Sequence, residues 1–371
     1  MMKVALMSFH NAANYGASMQ AYALEKYLLD NGIDCEYINY VNDTRKHMYS
    51  MSFLIMDSLR KKKIGTAIKY AAGSPFLNLR KARFKRFYKK YLKQTKKVYT
   101  TSQEASELND LYDYFIVGSD QVWALENNGG DMAFFLDFVK DNKKKISYSS
   151  SFGLAKIEDK YKEKYANNLS SFHSLAVRET IGQRIVKELT GRNATLVVDP
   201  VFLLSKKQWE EIMPARKNNE RYIFSYTNTD RQITDFLSTG YSLGDRKHYI
   251  LSSHTRPRDF FNSKIRVKYC MPPQVFLRVI YDADLVVTAS FHCLALSILF
   301  NKPFVVLLMG DKGKDERLVN LLSQLGLQHR IWAPAMTVSE IEAPINYEMV
   351  NRKIEQLRQH SVDYLINAIH N

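Results

Sequence analysis

The sequence has little cysteine and no long hydrophobic run. Its three cysteines, Cys35, Cys270 and Cys293, are odd in number and far apart, so neither a disulfide framework nor a CxxC metal motif is indicated. A low cysteine content is typical of a reducing compartment, and we expect a cytoplasmic protein. The apolar run before His10 is too short for a signal peptide. No uninterrupted apolar stretch approaches the length of about 18 residues that crosses a bilayer.

Acidic residues are absent from one long segment. Between Arg60 and Lys97 the sequence has 15 lysines and arginines and no aspartate or glutamate. Removing these 15 from the 53 basic residues leaves 38, which equals the number of acidic residues. The net charge of +15 therefore comes from this segment. It lies in a basic insert at residues 48–100, which also contains the apolar patch Met51 to Met56.

Apolar side chains recur within the basic segment at near-helical spacing, which predicts an amphipathic helix. Two interpretations of this helix remain open. It either contacts an anionic membrane surface or an acidic ligand, or it packs its aromatic stripe on the protein and exposes its charges to solvent. The segment has no known nucleic-acid-binding motif, so we do not expect nucleic acid as a partner. The apolar positions are Leu79, Phe84, Phe87, Tyr88, Tyr91 and Leu92.

Predicted strands and helices alternate along most of the chain, as in α/β proteins with parallel sheets. The first such series ends near residue 205, and a polar stretch at residues 206–220 separates it from a second series. The first strand–helix unit lacks the GxGxxG fingerprint, so a dinucleotide site is not favoured. We therefore predict two Rossmann-like domains, residues 1–205 and 206–346, with a cleft between them. A final helix in residues 347–371 is expected to cross back to the first domain.

The stretch from Asp284 to Leu307 combines a buried strand, a polar turn, a helix and a second buried strand. In open parallel sheets, ligands bind where the carboxyl end of a strand meets the amino end of a helix. Ser290 is expected to cap this helix, and the backbone N–H groups behind it form an anion site. His292 falls in the first helical turn, where it can bind phosphate, transfer a proton or simply pack.

Polar residues also follow several strands of the predicted first domain. Several such clusters indicate a binding site. The carboxylate, amide and indole of Asp120, Gln121 and Trp123 together suit a sugar, whose hydroxyls need hydrogen-bond donors and acceptors and whose C–H face stacks on an aromatic ring. Each cluster can alternatively serve only to turn the chain. The clusters are Asn14-Tyr15-Gly16, Ser119-Asp120-Gln121 with Trp123, the serine-rich turn at the end of Ile146 to Phe152, Arg178-Glu179 and Asp199-Pro200.

Taken together, these motifs resemble the polysaccharide pyruvyl transferase family, and the resemblance spans nearly the whole chain. It implies a fold like that of the B-type glycosyltransferases. It also implies transfer of a pyruvyl group from phosphoenolpyruvate to two hydroxyls of one sugar in a surface-polysaccharide or exopolysaccharide (capsule) precursor, which forms a cyclic ketal. The motifs are Asn14-Tyr15-Gly16, Gln20 to Leu24, Val117 to Trp123, Ser151-Phe152-Gly153, Val177-Arg178-Glu179, Asp199-Pro200 and Ser290-Phe291-His292.

The implied chemistry assigns roles to these residues. His292 is the candidate general acid or phosphate partner, and Asp120 is the candidate base. Glu179 is a rival base, or it only orients Arg178. Phosphoenolpyruvate is the donor substrate, no other cofactor is expected, and no metal-ligand cluster is visible. The residues expected to bind substrates are Asn14, Tyr15, Gly16, Ser119, Gln121, Trp123, Arg178, Glu179 and Ser290.

Two alternative functions remain. The first is a nucleotide-sugar glycosyltransferase on the same fold. Retaining members of that class carry a glutamate at the position that we assign, by alignment on Pro303, to Leu296. Leucine cannot accept hydrogen bonds from a ribose. The second is a non-catalytic binder of an anionic polymer or membrane.

For the predicted pyruvyl transferase, the expected acceptor is a saccharide that a lipid can carry. The basic segment would then hold the protein at the inner face of the cell membrane.

Overall fold

The computed structural model describes residues 2–48, 51–217, 219–227, 233, 236, 241, 243–251 and 264–370. The chain forms two compact units, which are described separately. The first contains residues 2–75, 84–203 and 356–370, and the second contains residues 76–83 and the described part of 204–355. Each unit is built from parallel strands joined through helices, so the predicted α/β class with two Rossmann-like domains is confirmed.

The first unit contains a four-stranded parallel sheet in the order β2-β1-β3-β4 and a two-stranded parallel pair, β5-β6. The chain passes from β1 to β2 on one side and then to β3 on the other, so the strand order reverses between β1 and β3. The strands are β1 Lys3–Met7, β2 Asp34–Tyr37, β3 Tyr114–Gly118, β4 Lys145–Tyr148, β5 Ala176–Val177 and β6 Thr195–Leu196.

The second unit contains a five-stranded parallel sheet in the order β11-β10-β7-β8-β9. Here the strand order reverses between β7 and β10, which is the Rossmann arrangement. Both sheets have apolar strands that are covered on their faces, as parallel sheets require. The strands are β7 Tyr222–Tyr226, β8 Lys247–Leu251, β9 Ile265–Lys268, β10 Leu285–Thr288 and β11 Phe304–Val306.

Helices connect the strands. No helix in the described ranges is long and apolar enough to pass through a membrane. The α-helices are α1 Tyr15–Asp30, α2 Asp43–Met48, α3 Met51–Arg60, α4 Ile64–Tyr91, α5 Ser102–Ala105, α6 Leu125–Asn128, α7 Asp159–Ser170, α8 Thr180–Thr190, α9 Lys206–Glu210, α10 Pro273–Asp282, α11 Phe291–Leu299, α12 Lys312–Leu325, α13 Val338–Glu342 and α14 Tyr347–His370. The 3₁₀ helices are Ser106–Asp110, Ala133–Phe135, Asn142–Lys144, Pro200–Phe202 and Gln328–Arg330.

Several strands end earlier than the sequence predicts. The strand predicted from Ile146 to Phe152 ends at Tyr148, because Ser149 adopts a left-handed conformation with φ of 56° that ends the extended backbone. The strand predicted near Tyr249 to Ser252 is observed as β8, and Ser252 lies outside the described residues. After β4, the polar residues therefore form a turn rather than part of the sheet.

Helix α4 lies within the basic segment, and the aromatic side chains in its second half pack on the first unit. Phe84, Phe87 and Tyr88 are buried. Phe84 contacts Tyr15 edge to face at 5.0 Å, and the Tyr88 hydroxyl donates to the carbonyl oxygen of Ala12. The packing interpretation is therefore confirmed for Phe84, Phe87 and Tyr88, whereas Leu79 at the start of the predicted stripe is exposed. Its basic neighbours Lys85, Arg86, Lys89 and Lys90 are all exposed.

A buried carboxylate in α1 makes the first unit sensitive to pH. Glu25 is only 2% exposed, and its Oε1 atom accepts the backbone N–H of Lys93 at 2.8 Å. Burial raises the pKa of Glu25 to about 8, although the Lys93 N–H and the Lys93 charge oppose this rise. The folded protein therefore holds a proton that the unfolded chain has lost, at pH values between the ordinary glutamate pKa and about 8.

We expect Glu25→Gln to stabilise the first unit in a pH-dependent way. The parent loses stability as pH rises through about 8, because Glu25 must then ionise while buried. The variant lacks this penalty, so it should unfold at a higher temperature than the parent near pH 9, with a gain of a few kcal/mol. The difference should vanish near pH 4. Thermal unfolding across this range measures it. Glu163→Gln, at an exposed position, is the control, and a pH-independent difference for Glu25→Gln would contradict the assignment.

Candidate active site

The turn after β3 has an unusual backbone. Ser119 and Asp120 have φ values of 42° and 65°, in the left-handed region that non-glycine residues rarely adopt. Such conformations cost about 1–3 kcal/mol each and cluster at functional sites. Gly118 is required before them, because a Cβ atom there would lie 2.0 Å from the carbonyl oxygen of Tyr148. The turn thus presents Asp120, which is partly exposed, at the carboxyl end of β3.

A buried ion-pair network joins this turn to two other strand ends. Arg178, which follows β5, donates from Nε to Glu179 Oε1 at 2.8 Å and from Nη1 to Asp199 Oδ2 at 2.7 Å. Asp199 Oδ2 also accepts the Ser119 hydroxyl at 2.9 Å. Asp199 lies just beyond β6, so the network ties together the ends of β3, β5 and β6.

The electrostatics of the network keep Arg178 charged. Burial disfavours the charged guanidinium, but the carboxylates of Glu179, Asp199 and Asp120 outweigh burial and hold the pKa of Arg178 above its ordinary value. The Oε1 atom of Glu179 accepts a hydrogen bond from Arg178. Of the two roles considered for Glu179, this contact favours orienting Arg178 over acting as a base. Arg178 binds two carboxylates and thereby ties the turn to two other strand ends, and its contact with a substrate stays a prediction.

Two residues of this site were missed by the sequence analysis as candidates. Gln20 in α1 donates from Nε2 to the Ser8 hydroxyl at 2.8 Å, and the Ser8 hydroxyl reaches the carbonyl oxygen of Ser119 at 3.4 Å. Ser8 follows β1 directly, so the contact joins the ends of β1 and β3, where the strand order reverses. The rule that ligands bind at strand carboxyl ends would have identified Ser8.

The loop after β1 contributes Asn14 to the surface. Asn14 is exposed and caps α1, since its Oδ1 atom accepts the N–H of Ala17 at 3.1 Å. Tyr15 and Gly16 instead lie in the buried first turn of α1. The ring of Tyr15 packs on Phe84, and of these three residues only Asn14 presents a polar side chain at the surface. A substrate contact of Tyr15 or Gly16 stays a prediction.

The side chain of Trp123 does not reach the surface. Its ring is fully buried in the core, stacks on Phe135 at 5.6 Å and donates from Nε1 to the carbonyl oxygen of Phe134 at 3.0 Å. An indole in this position has no face for a sugar. Gln121 is partly exposed, and its Oε1 atom accepts the Asn127 side chain at 3.2 Å. Gln121 remains a candidate for substrate binding.

In the second unit, the predicted turn lies between β10 and α11. The Thr288 hydroxyl donates to the carbonyl oxygen of Tyr226 at 2.7 Å, and Tyr226 is the last residue of β7. The turn therefore sits where the strand order of this sheet reverses, which is the usual ligand position in such sheets. His292 follows in the first turn of α11 and is 7% exposed.

Ser290 occupies the N-cap position of α11, but its hydroxyl does not cap the helix. Its backbone N–H donates to the Thr288 hydroxyl at 3.0 Å, so Thr288 organises the turn. The expectation that the Ser290 side chain caps the helix was wrong in this respect. Among the described residues, no group of three His, Cys, Asp or Glu side chains has the arrangement of a metal site.

The Asp199 carboxylate is expected to be critical for folding of the first unit. Asp199→Asn replaces a carboxylate that accepts three hydrogen bonds and leaves the buried charge of Arg178 with one anionic partner fewer. Breaking a buried pair costs on the order of 3 kcal/mol. Asp159→Asn is the control, because its ion pair with Lys162 is exposed and contributes little. Chemical denaturation of both variants measures the difference, and equal stabilities would contradict the importance of the network.

Comparison with known proteins identifies the family. A sequence model described as polysaccharide pyruvyl transferase matches residues 14–310. No curated protein sequence matches significantly. Among the solved structures that share the fold is the UDP-GlcNAc 2-epimerase from Neisseria meningitidis, bound to UDP-GlcNAc. It is 12% identical, the match covers 99% of this chain and 100% of that chain, and the TM-score is 0.53. Another is an alpha-glucosyltransferase in complex with UDP and DNA, which is 9% identical over all of both chains with a TM-score of 0.52. Because the family match covers most of its length, the chain belongs to the polysaccharide pyruvyl transferase family.

Proposed function

We propose that the protein transfers a pyruvyl group from phosphoenolpyruvate to two hydroxyls of a sugar in a surface-polysaccharide or exopolysaccharide precursor. The observation that carries this proposal is the position of His292. It lies in the first turn of a helix that follows a strand end, at the reversal of strand order in the second unit. Backbone N–H groups at a helix start favour a phosphate or carboxylate, and phosphoenolpyruvate has both groups.

The reaction needs proton transfers but no redox step. A proton adds to the methylene carbon of phosphoenolpyruvate, which leaves an oxocarbenium-like centre at the neighbouring carbon. One sugar hydroxyl adds there, the C–O bond to phosphate breaks, and the second hydroxyl closes the ring. The products are a cyclic ketal and inorganic phosphate. The two sugar hydroxyls together release two protons. One replaces the proton that the methylene carbon takes up, and the other passes to phosphate or solvent. A general acid and a base therefore suffice.

The residues divide between these tasks. His292 is our candidate for the acid, or for the group that holds the phosphate. Asp120 is our candidate for the base that activates a hydroxyl, because it is partly exposed and its turn is held in a strained, left-handed conformation. Asn14, Ser119 and Gln121 are our candidates for acceptor binding. Arg178 and Glu179 position the Asp120 turn through the buried network.

The alternative is a nucleotide-sugar glycosyltransferase. Both solved structures with a related fold contain a uridine nucleotide, as their descriptions state. Counting back from Pro303, we assign the position of the ribose-binding glutamate of retaining glycosyltransferases to Leu296, which is fully buried in α11. An apolar, buried side chain cannot bind ribose hydroxyls. This favours phosphoenolpyruvate over a nucleotide sugar as the donor.

Two variants of His292 test the proposal. The parent should release phosphate from phosphoenolpyruvate only when an acceptor saccharide is present, and phosphoenolpyruvate should raise its melting temperature. His292→Ala should lose turnover by roughly 10²–10⁴, the usual contribution of a proton-transfer group. His292→Asn keeps a hydrogen-bond donor but cannot deliver a proton at neutral pH. It should restore phosphoenolpyruvate binding without restoring turnover.

Other outcomes separate the alternatives. Full turnover by His292→Asn would limit His292 to phosphate binding. Normal turnover by both variants would reduce it to a packing residue. If UDP raised the melting temperature of the parent but not of His292→Ala, and phosphoenolpyruvate raised neither, a nucleotide sugar would replace the proposed donor. The control variant Lys207→Gln, at an exposed position in α9, should behave like the parent.

We further propose that the protein works at an anionic membrane, where a lipid-linked saccharide is presented. Helices α3 and α4 meet at a tight turn, Lys61 to Lys63, and carry apolar residues that are exposed on either side of it. Exposed apolar side chains next to a cluster of positive charge favour an anionic lipid surface. These residues, which we call the apolar ridge, are Met56, Leu59, Ile64 and Ile68, with exposed fractions of 52%, 52%, 63% and 64%.

Vesicle binding tests this location. The parent should bind vesicles that contain phosphatidylglycerol, should bind pure phosphatidylcholine weakly, and should dissociate as salt screens the charges. Replacing Leu59, Ile64 and Ile68 by serine should weaken binding by about tenfold or more, because each removes an apolar side chain from the bilayer boundary. Reversing Lys85, Arg86, Lys89 and Lys90 to glutamate should weaken it as well. Phosphate release with a short water-soluble acceptor should survive in both variants.

A control variant carries serine at Leu111, Val338 and Met349, which are exposed apolar residues outside the basic segment. It should bind vesicles like the parent. If the ridge variant also bound like the parent, the apolar ridge would not be a membrane contact.

A further inference from the structure

The second unit contains a cavity that the proposed reaction does not use. Its volume is about 410 Å³, which is in the range of small-molecule sites. It lies between α10, the residues at and after the end of β9, and the segment at residues 214–217. Neither Ser290 nor His292 lines it. Its apolar surface comes from Tyr222, Tyr249, Val267, Met271, Val275 and Val279.

The charged side chains around the cavity are unbalanced. Five cationic side chains line it, and the single acidic side chain in the lining is Asp282. The Asp282 carboxylate lies 3.3 Å from Arg278 and 3.9 Å from Arg216, so it is shared between two guanidinium groups. An excess of positive charge remains for a ligand. The cationic residues are Arg83, Arg216, Lys217, Lys268 and Arg278.

Two of the arginines are held in place by backbone oxygens. Arg83 donates from Nη1 to the carbonyl oxygen of Cys270, and Arg278 donates from Nε to the carbonyl oxygen of Pro214 at 2.9 Å. When one N–H of a guanidinium donates to a backbone carbonyl oxygen, the remaining N–H groups of that guanidinium are held in a fixed direction. Oriented guanidinium groups bind phosphate oxygens well. Arg83 and Arg278 are therefore fixed parts of the cavity wall rather than solvated surface charges.

Lys268 adds a cation on the aromatic side. Its Nζ atom lies 4.3 Å from the centre of the Tyr249 ring, and that ring stacks on Tyr222 with centres 4.2 Å apart and planes 11° apart. Burial lowers the pKa of Lys268, and the neighbouring charges of Arg266 and Lys217 lower it further, while Glu220 opposes them. A bound anion would pair with the Lys268 ammonium group and so offset the free-energy cost of keeping that group charged in the cavity.

We propose that this cavity binds an organic diphosphate, that is, a diphosphate ester with an apolar or aromatic body. The converging cations suit the diphosphate, and the apolar wall suits the organic part. A bare sugar fits poorly, because the single carboxylate of the lining is already paired and few other polar side chains are available for hydroxyls. Isoprenyl diphosphates and nucleoside diphosphates share this chemistry, and both carry saccharides. The link to a carrier-bound acceptor rests on the proposed function, whereas ligand binding does not.

Calorimetric titration of the full chain tests the inference with three probes: geranyl diphosphate, UDP and inorganic pyrophosphate. At least one organic diphosphate should bind more tightly than pyrophosphate, because only the esters use the apolar wall. The tighter of geranyl diphosphate and UDP identifies the type of carrier. Lys217→Glu with Lys268→Gln should weaken that binding roughly tenfold or more, since charged hydrogen bonds are lost. Lys207→Glu, at an exposed position outside the lining, is the control.

Several results would overturn the inference. These are no binding of either ester, binding no tighter than that of pyrophosphate, or equal binding by the lining variant and the control. His292→Ala should leave the titration unchanged, because His292 does not line the cavity. Failure of phosphate release from phosphoenolpyruvate would reject the proposed reaction without altering the titration, so the two failures are distinguishable.

Discussion

The buried guanidinium of Arg178 joins three strand ends in the first unit. It binds Glu179 and Asp199, and Asp199 in turn accepts the hydroxyl of Ser119. A buried charge that lost a partner would destabilise the protein strongly, so these contacts constrain the three ends together. The constraint also holds the turn at Ser119 and Asp120 in its left-handed conformation. The best candidate for a base therefore depends on an ion pair that does not itself react.

Each unit gathers its candidate residues where the strand order of its sheet reverses. In the first unit, Ser8 follows β1 and Ser119 follows β3; in the second, the Thr288 hydroxyl binds the end of β7. At a reversal, the connecting helices leave on opposite faces of the sheet, and the strand ends stay uncovered. Parallel topology thus explains why polar residues that are distant in the sequence occupy equivalent positions in the two units.

The basic segment serves two physical purposes at once. The aromatic residues in the second half of α4 are core residues of the first unit, and the lysines and arginines beside them remain exposed. The turn before α4 instead exposes both its charges and its apolar neighbours. Residues 76–83 of the same helix are grouped with the second unit, where Arg83 lines the cationic cavity. The excess charge of the chain is therefore divided between an exposed surface and the lining of a cavity.

The sequence alone determined the α/β class, the position of most strands and the family, because buried parallel strands are continuous apolar runs and the motifs after them are local. It also located the turns at Ser119 and Ser290. It could not determine which aromatic residues face the core. Trp123 and Tyr15 look like ligand residues in the sequence, yet packing against Phe135 and Phe84 buries them. The pairing of Arg178 with Asp199 and the cavity beside α10 likewise arise from residues that are far apart in the chain. Such contacts depend on how the strands are ordered in space, and only the tertiary structure decides that order.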